Sequence, residues 1–251
     1  MGAAATYLYA VTRRGAPLQL AGTRGITDEP LRVVDEAALA CVVGSVDLDE
    51  FGEAALIRNL EDLAWLERVA RRHDAVVREV AAQTATVPLR LAVICHDDES
   101  ARHHLRDLGD RASQVLDRIE GREEWGLKLY AAPERQADSP DIPQSGTDYL
   151  QRRKQALAER DQVAEQARRD ADAVYGRLAE YAHAARRYRP QDQRLTRAAT
   201  PMMLNAAFLV DRAGHDDFRA AADELAAGRA PGAFVVTGPW PPYSFASLEE
   251  K

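Results

Sequence analysis

The chain has 251 residues, 46% hydrophobic and 29% charged, with 33 lysines and arginines against 40 aspartates and glutamates and a formal net charge of −7. That length suits one large or two modest domains. The acidic balance argues against a generic nucleic-acid binder, and no apolar run approaches the roughly 20 residues of a membrane span.

Met1–Arg14 carries no basic stretch ahead of its apolar residues, so no secretory signal is expected. Cys41 and Cys95 lie far apart in apolar stretches and outside any CxxC spacing. They read as buried thiols in a reducing cytoplasm rather than as a zinc site.

Thr6–Arg13 ("TYLYAVTR") is rich in β-formers and reads as a first strand, followed by a loop punctuated by Gly15, Gly22 and Gly25. "LRVVDEAALACVVGSV" gives a short strand and a longer one centred on Ala40–Val46. Leu63, Leu66, Val69, His73, Val76, Val77 and Val80 then step by three and four, one face of an amphipathic helix. Thr86–Ile94 is a strand. A second helix follows, capped by Asp97 or Asp98 and ended by Gly121, and Glu124–Ala132 is a further strand. This order suggests a first domain, residues 1–132, built as a ferredoxin-like, split-βαβ sheet with helices on one face.

Residues 133–146 carry three prolines and no periodicity, as a linker would. Beyond them, residues 147–189 contain no proline and are helical by propensity, with a thin alanine-rich stripe. A strand "PMMLNAAFLVDR", a helix "HDDFRAAADELAAG" and a strand "GAFVVTGPW" complete a second domain, residues 147–251, as a β-α-β unit on a long helix or helical hairpin. The expected fold class is α+β.

Catalytic chemistry is not visible. The sequence has no GxGxxG, Walker, HExxH or GxSxG motif. His73 sits on an apolar helix face beside Asp74, whose side chain points elsewhere, so packing is favoured over catalysis. Cys95, His96, Asp97, Asp98 and Glu99 gather at a strand end, which either caps the next helix or forms a site. His103 and His104 lie about 100° apart on a helix and do not suit joint metal ligation, and His215–Asp216–Asp217 reads as a helix start. Glu123 and Glu124 are strand neighbours facing opposite sides. No catalytic, cofactor or metal residue is assigned.

The stretch "TGPWPPYSF", Thr237–Phe245, cannot run as a central strand, because prolines donate nothing to a ladder. A plug or inter-domain clasp, a docking peptide and a ligand loop are its possible roles. Burial of Trp240, Tyr243 and Phe245 favours a plug closing the C-terminal domain, since each aromatic removes about 150–250 Å² from water.

"LNAAFLV" (Leu204–Val210) followed by "TGPWPPYSF" resembles the C-terminal signature of the gas vesicle protein F/L family. "YLYAV", Gly25–Ile26, "LACVVGSV", "WLERVARRHDAVV" and "GREEWGLKLY" are similar to that family's earlier segments, as are "GTDYLQRRK" and "VYGRLAEYA". The residues that carry the likeness include Trp65, His73, Trp125, Leu204, Asn205, Phe208, Gly238, Pro239, Trp240, Pro241, Pro242, Tyr243 and Phe245. One strand departs: "TVPLRLAVIC" stands where the family has a "VLPLRFGT"-like segment, so the glycine of that segment is missing here.

The resemblance implies a non-enzymatic accessory protein of gas vesicle formation, cytoplasmic and vesicle-associated, without a cofactor. It implies contacts with the hydrophobic shell protein, gas vesicle protein A, and with other accessory proteins. For the partner surface the places to look are the long helix from about Tyr149 to Arg189, with Tyr149, Arg152, Arg153, Tyr175 and Tyr181, and the cleft where the two expected domains meet. The alternative is a small-molecule-binding module or uncharacterised enzyme on a ferredoxin-like sheet, with His96 and Asp97 at its site.

Overall fold

Ten consecutive residues, Ala4–Arg13, form strand β1 in the computed structural model, which describes residues 3–131, 146–193, 200–246 and 248. The further elements are β2 (Arg32–Glu36), β3 (Leu39–Asp47), α1 (Leu48–Phe51), α2 (Glu53–Asn59), α3 (Leu63–Gln83), β4 (Val87–Cys95) and α4 (Asp98–Ile119). They are followed by β5 (Arg122–Tyr130), α5 (Gly146–Ala179), β6 (Ala184–Tyr188), β7 (Met202–Asp211), α6 (His215–Ala226) and β8 (Phe234–Trp240). The fold is α+β, with two four-stranded sheets. The chain forms two compact units, Met1–Glu124 with Pro239–Lys251, and Trp125–Gly238.

In the first unit the sheet order is β2-β3-β1-β4, and each pair is antiparallel. β1 is buried from Ala5 to Thr12 without alternation, the mark of a strand covered on both faces. Tyr7 and Tyr9 pack with Val42, Val46 and the inner stripe of α3, namely Trp65, Val69, His73, Val76, Val77 and Val80. On the opposite face Thr6 and Arg13 bond Asp98 and Asp117 at the two ends of α4. α4 buries Leu105, Leu108, Val115, Leu116 and Ile119. Helices therefore cover both faces of this sheet, not one as expected. A ferredoxin-like sheet also needs a helix between its first two strands, whereas no helix lies between β1 and β2.

The helix ends follow local chemistry. The Asp62 carboxylate accepts from the backbone N–H of Ala64 and Trp65 at 2.9 and 3.3 Å, capping α3. The first turn is rotated from the expected stripe, so that Trp65 is buried and Leu63 is 78% exposed. Asp97 caps α4, accepting from Ser100 N–H at 2.8 Å. The helix breaks at Gly109, whose φ of +32° favours glycine.

Strand β4 leaves the register of β1 between Pro88 and Val93. The bulge frees the Leu89 carbonyl and the Ala92 N–H, which would be costly if left unpaired in the core. His73 Nε2 lies 3.1 Å from the Leu89 oxygen, which can only accept, so Nε2 carries the proton. Nδ1 then accepts from the Tyr7 hydroxyl at 3.0 Å, and that hydroxyl oxygen accepts from Ala92 N–H at 3.0 Å. Burial pushes the His73 pKa down to about 4 and that of Tyr7 up to about 12, keeping both neutral near pH 7.

Tyr9, with its ring centroid 5.6 Å from that of His73, donates to Glu29 Oε1 at 2.6 Å and accepts from Ile26 N–H at 2.8 Å. The Glu29 carboxylate sits so close to Gly25 that a Cβ there would lie 1.7 Å from Oε1. That contact is a physical reason for glycine before Ile26.

In the second unit the sheet order is β6-β7-β5-β8. Trp125, Leu127 and Leu129 of β5 and Leu204, Ala206, Phe208 and Val210 of β7 alternate inward, meeting Val174 and Leu178 of α5 and Phe218 of α6. The element order β5-α5-β6-β7-α6-β8 with this strand order is the split-βαβ arrangement, so that pattern lies here rather than in the first unit. β5, expected to close the first sheet, lies inside the second, and the units divide at Glu124/Trp125 and Gly238/Pro239 rather than at a linker. Apart from Gly146, the expected linker 133–146 lies outside the described residues. β6 was hidden in a run with helical propensity; α5 stops at Ala179, and His183 N–H bonds the Leu209 carbonyl to begin pairing with β7.

Two outcomes follow from the first core. Ala92 has a left-handed φ of +64°. An L-residue there costs about 1–2 kcal/mol, so Ala92→Gly should stabilise by about 0.5–1 kcal/mol after glycine's own entropy loss. A higher urea midpoint at unchanged m-value checks this. Because the folded pKa of His73 is depressed, the unfolded chain binds its proton first as pH falls. The wild type should lose up to about 3 kcal/mol between pH 6.5 and 4, and His73→Gln should flatten this slope in urea titrations across that range.

Candidate protein interaction site

The segment Pro239–Phe245 is held by the first unit. After edge strand β8, which tolerates Pro239 because it is an edge, the chain turns at Pro242. There Phe245 and Ala246 N–H bond the Pro242 carbonyl at 3.0 and 2.9 Å. Phe245 is buried, and its carbonyl accepts from Arg118 at 2.5 Å. Buried Glu124 accepts from Ser244 N–H at 2.7 Å and Ser244 O–H at 2.5 Å. Asp74 accepts from Tyr243 O–H at 3.0 Å and from Arg78 Nε at 2.6 Å, and the Arg78 guanidinium lies 4.2 Å from the Trp240 ring centroid. The stretch is thus a clasp on the first unit, and the expectation that it closes the C-terminal domain is corrected. The hydrogen-bonding groups it needs, Glu124, Asp74 and Arg118, all belong to the first unit.

Beside this clasp runs an apolar groove of about 900 Å³, lined by Leu89, Leu91, Val93, Leu108, Ala246 and Leu248 with His73, Asp74, Arg90 and His104. Its His73 ring is already committed on both nitrogens and Asp74 on both oxygens. The groove therefore has an apolar wall but no converging set of catalytic groups.

The acidic cluster after β4 is also committed. Asp97 holds the α4 N-terminus through Ser100. Asp98 accepts from Arg32 Nε at 3.0 Å and Nη2 at 2.5 Å, and from Thr6 O–H at 2.9 Å, and the guanidinium holds its pKa below the usual carboxylate range. His96 is exposed and Cys95 half-buried. His103 lies 3.8 Å from Asp107, and His215 lies 3.1 Å from Asp216. No cluster of three or more His, Cys, Asp or Glu suited to a metal occurs among the described residues.

Trp65 and His73 belong to the first core, and Trp125, Leu204 and Phe208 to the second. Trp65 donates to Glu50 at 2.7 Å, and Asn205 pairs with Tyr188 across β7 and β6. Of the residues considered for a partner surface, the side chains of Tyr149 and Arg152 lie outside the described set, and Arg153 is exposed. Tyr175 and Tyr181 pack against the second core, the former 5.6 Å from Phe208 and beneath Arg187, the latter beneath Arg177.

The exposed face of α5 lies farther forward. Every side chain described between Leu150 and Val163 is exposed, and Leu150, Leu157 and Val163 are 65%, 57% and 69% exposed. The sequence points to this helix as a partner surface but gives only a thin, alanine-rich stripe on it. The signal that could have found these residues is the seven-residue step from Leu150 to Leu157.

Comparison with known proteins agrees with this architecture. Residues 5–247 match the family described as "Gas vesicle synthesis protein GvpL/GvpF". The chain is 42% identical to a gas vesicle protein L of Streptomyces sp. (strain CB03234), over 98% of this chain and 94% of that protein. It is 30% identical to gas vesicle protein F of the same strain, over 96% and 98%. The crystal structure of gas vesicle protein GvpF from Anabaena sp. PCC7120 matches with a TM-score of 0.69 at 14% identity, covering 98% of both chains. That from Microcystis aeruginosa gives 0.68 at 16%, covering 97% of this chain and 99% of the other.

The clasp should respond unequally to mutation. Glu124→Ala removes two bonds to a buried carboxylate and should cost about 2–3 kcal/mol, whereas Tyr243→Phe, at a half-exposed site, should cost under about 1 kcal/mol. Urea denaturation, with limited proteolysis of the C-terminal segment as a second readout, measures both.

Proposed function

Because the chain belongs to the gas vesicle synthesis protein GvpL/GvpF family, we propose that it serves gas vesicle formation as a non-enzymatic accessory protein. In this reading it engages the hydrophobic shell protein, gas vesicle protein A, together with other accessory proteins, in the cytoplasm and at the vesicle. The observation that carries the reading is the reach of the likeness, which spans both units and the clasp. Identity of 42% to the L protein against 30% to the F protein of one strain supports an L-type member.

Physical chemistry supports the same role. A shell subunit with apolar faces and open strand edges tends to aggregate before it assembles. An acidic chain in which no helix among the described residues is long and apolar enough to cross a membrane suits a partner that holds such a subunit. Of the two groups that the enzyme reading would use, His96 and Asp97, the aspartate already caps α4, and its neighbour Asp98 pairs with Arg32.

Deletion of this gene from an otherwise complete gas vesicle gene cluster should abolish or sharply reduce buoyant vesicles. The wild-type gene and a His96→Ala/Asp97→Asn variant should both restore them. Undiminished vesicles in the deletion strain would overturn the accessory role, and failure of the variant alone, if folded, would favour a chemical site at the β4 end.

A further inference from the structure

The forward half of α5 carries a stripe that is exposed among the described residues. Leu150, Leu157, Ala164, Ala171 and Leu178 recur every seven residues. At the far end Ala171 and Leu178 are buried in the second core, while Leu150 and Leu157 stand in water. One position of a heptad repeat therefore runs from an established packing face out along an exposed helix, with Arg153, Lys154, Arg160 and Asp161 flanking it three and four residues on. A shallow depression on this face is lined by Leu150, Arg153, Lys154, Leu157, Ala158 and Asp161.

The charges flanking the seam choose its occupant. Arg153 and Lys154 lie on the N-terminal side of Leu157, Asp161 on the C-terminal side. A partner of uniform charge would match one end and repel the other. A parallel, in-register copy would set Lys154 beside Lys154 and Asp161 beside Asp161. An antiparallel copy about a two-fold axis at Leu157 and Ala158 sets Lys154 against Asp161 twice, and flanking charge pairs of this kind fix helix orientation.

We propose that the exposed half of α5 pairs antiparallel with the same segment of a second copy of this chain. The apolar contact is short, which makes a weak, concentration-dependent dimer of the kind found below about 1,200 Å² of buried surface. The pairing does not rest on the gas vesicle role and can be tested without it.

Sedimentation velocity of the full chain, from about 1 to a few hundred micromolar, reads the association directly. The wild type should shift towards dimer in the upper part of that range. Leu157→Lys should weaken association at least about tenfold, with the same helical content by circular dichroism. Lys154→Glu and Asp161→Lys should each weaken it several-fold, because each sets like charges together. Mixing these two single variants should restore it, since each then supplies the sign the other lacks. A wild type monomeric throughout, a Leu157→Lys protein that associates as well as wild type, or a mixture no better than either variant alone would overturn the proposal.

Discussion

A bulge in an edge strand governs the first unit. Where β4 leaves the register of β1, a carbonyl at Leu89 and an N–H at Ala92 are left inside the core, and both must be satisfied there. Tyr7 and His73 do so as one chain of hydrogen bonds that fixes the imidazole tautomer and ties β1, α3 and β4 together. A charged imidazole has no place in this arrangement, because both nitrogens would then be donors and Tyr7 would lose its acceptor. Tyr9 and Glu29 extend the same polar seam to the turn at Gly25–Ile26.

α3 carries two duties on adjacent residues. His73 faces the core, while Asp74, about 100° around the helix, holds Tyr243 and Arg78 for the clasp. Adjacent helix positions point different ways, so a His-Asp pair that looks catalytic in sequence is divided here between two structural tasks. Several of the residues on which the sequence resemblance rests are packing residues. Trp65, Trp125, Leu204 and Phe208 fill cores, and Phe245 anchors the clasp.

Much of this was legible in the sequence. Period-three-and-four spacing located α3, alternation and β-branching located most strands, and the pair Asp97–Asp98 announced the start of α4 without deciding which of the two caps it. The proline content of "TGPWPPYSF" excluded a central strand, and its aromatics pointed to burial, which holds for Phe245 but not for the exposed Tyr243. Its destination was not legible, because the partners Glu124, Asp74 and Arg118 are distant in sequence and carry no local signal. The burial of β1 on both faces was readable in its unbroken apolar run, but strand order alone suggested helices on one side. β6 was missed because "AARRY" has no β-former before Tyr188 and becomes a strand only by pairing with β7. The exposed seam of α5 was obscured by arginines at its intervening positions.

The polar groups at the β4 bulge and in the clasp hold parts of the first unit together, while Leu150, Leu157 and Val163 of α5 are exposed. The central claim is that this chain engages the gas vesicle shell protein, and direct binding tests it best. Denatured shell protein is diluted into buffer with and without the purified full chain, while light scattering and crosslinking are recorded. Suppressed scattering with a crosslinked complex of the two proteins is the result expected. Unchanged scattering and no crosslink, with the chain folded by circular dichroism, would contradict it.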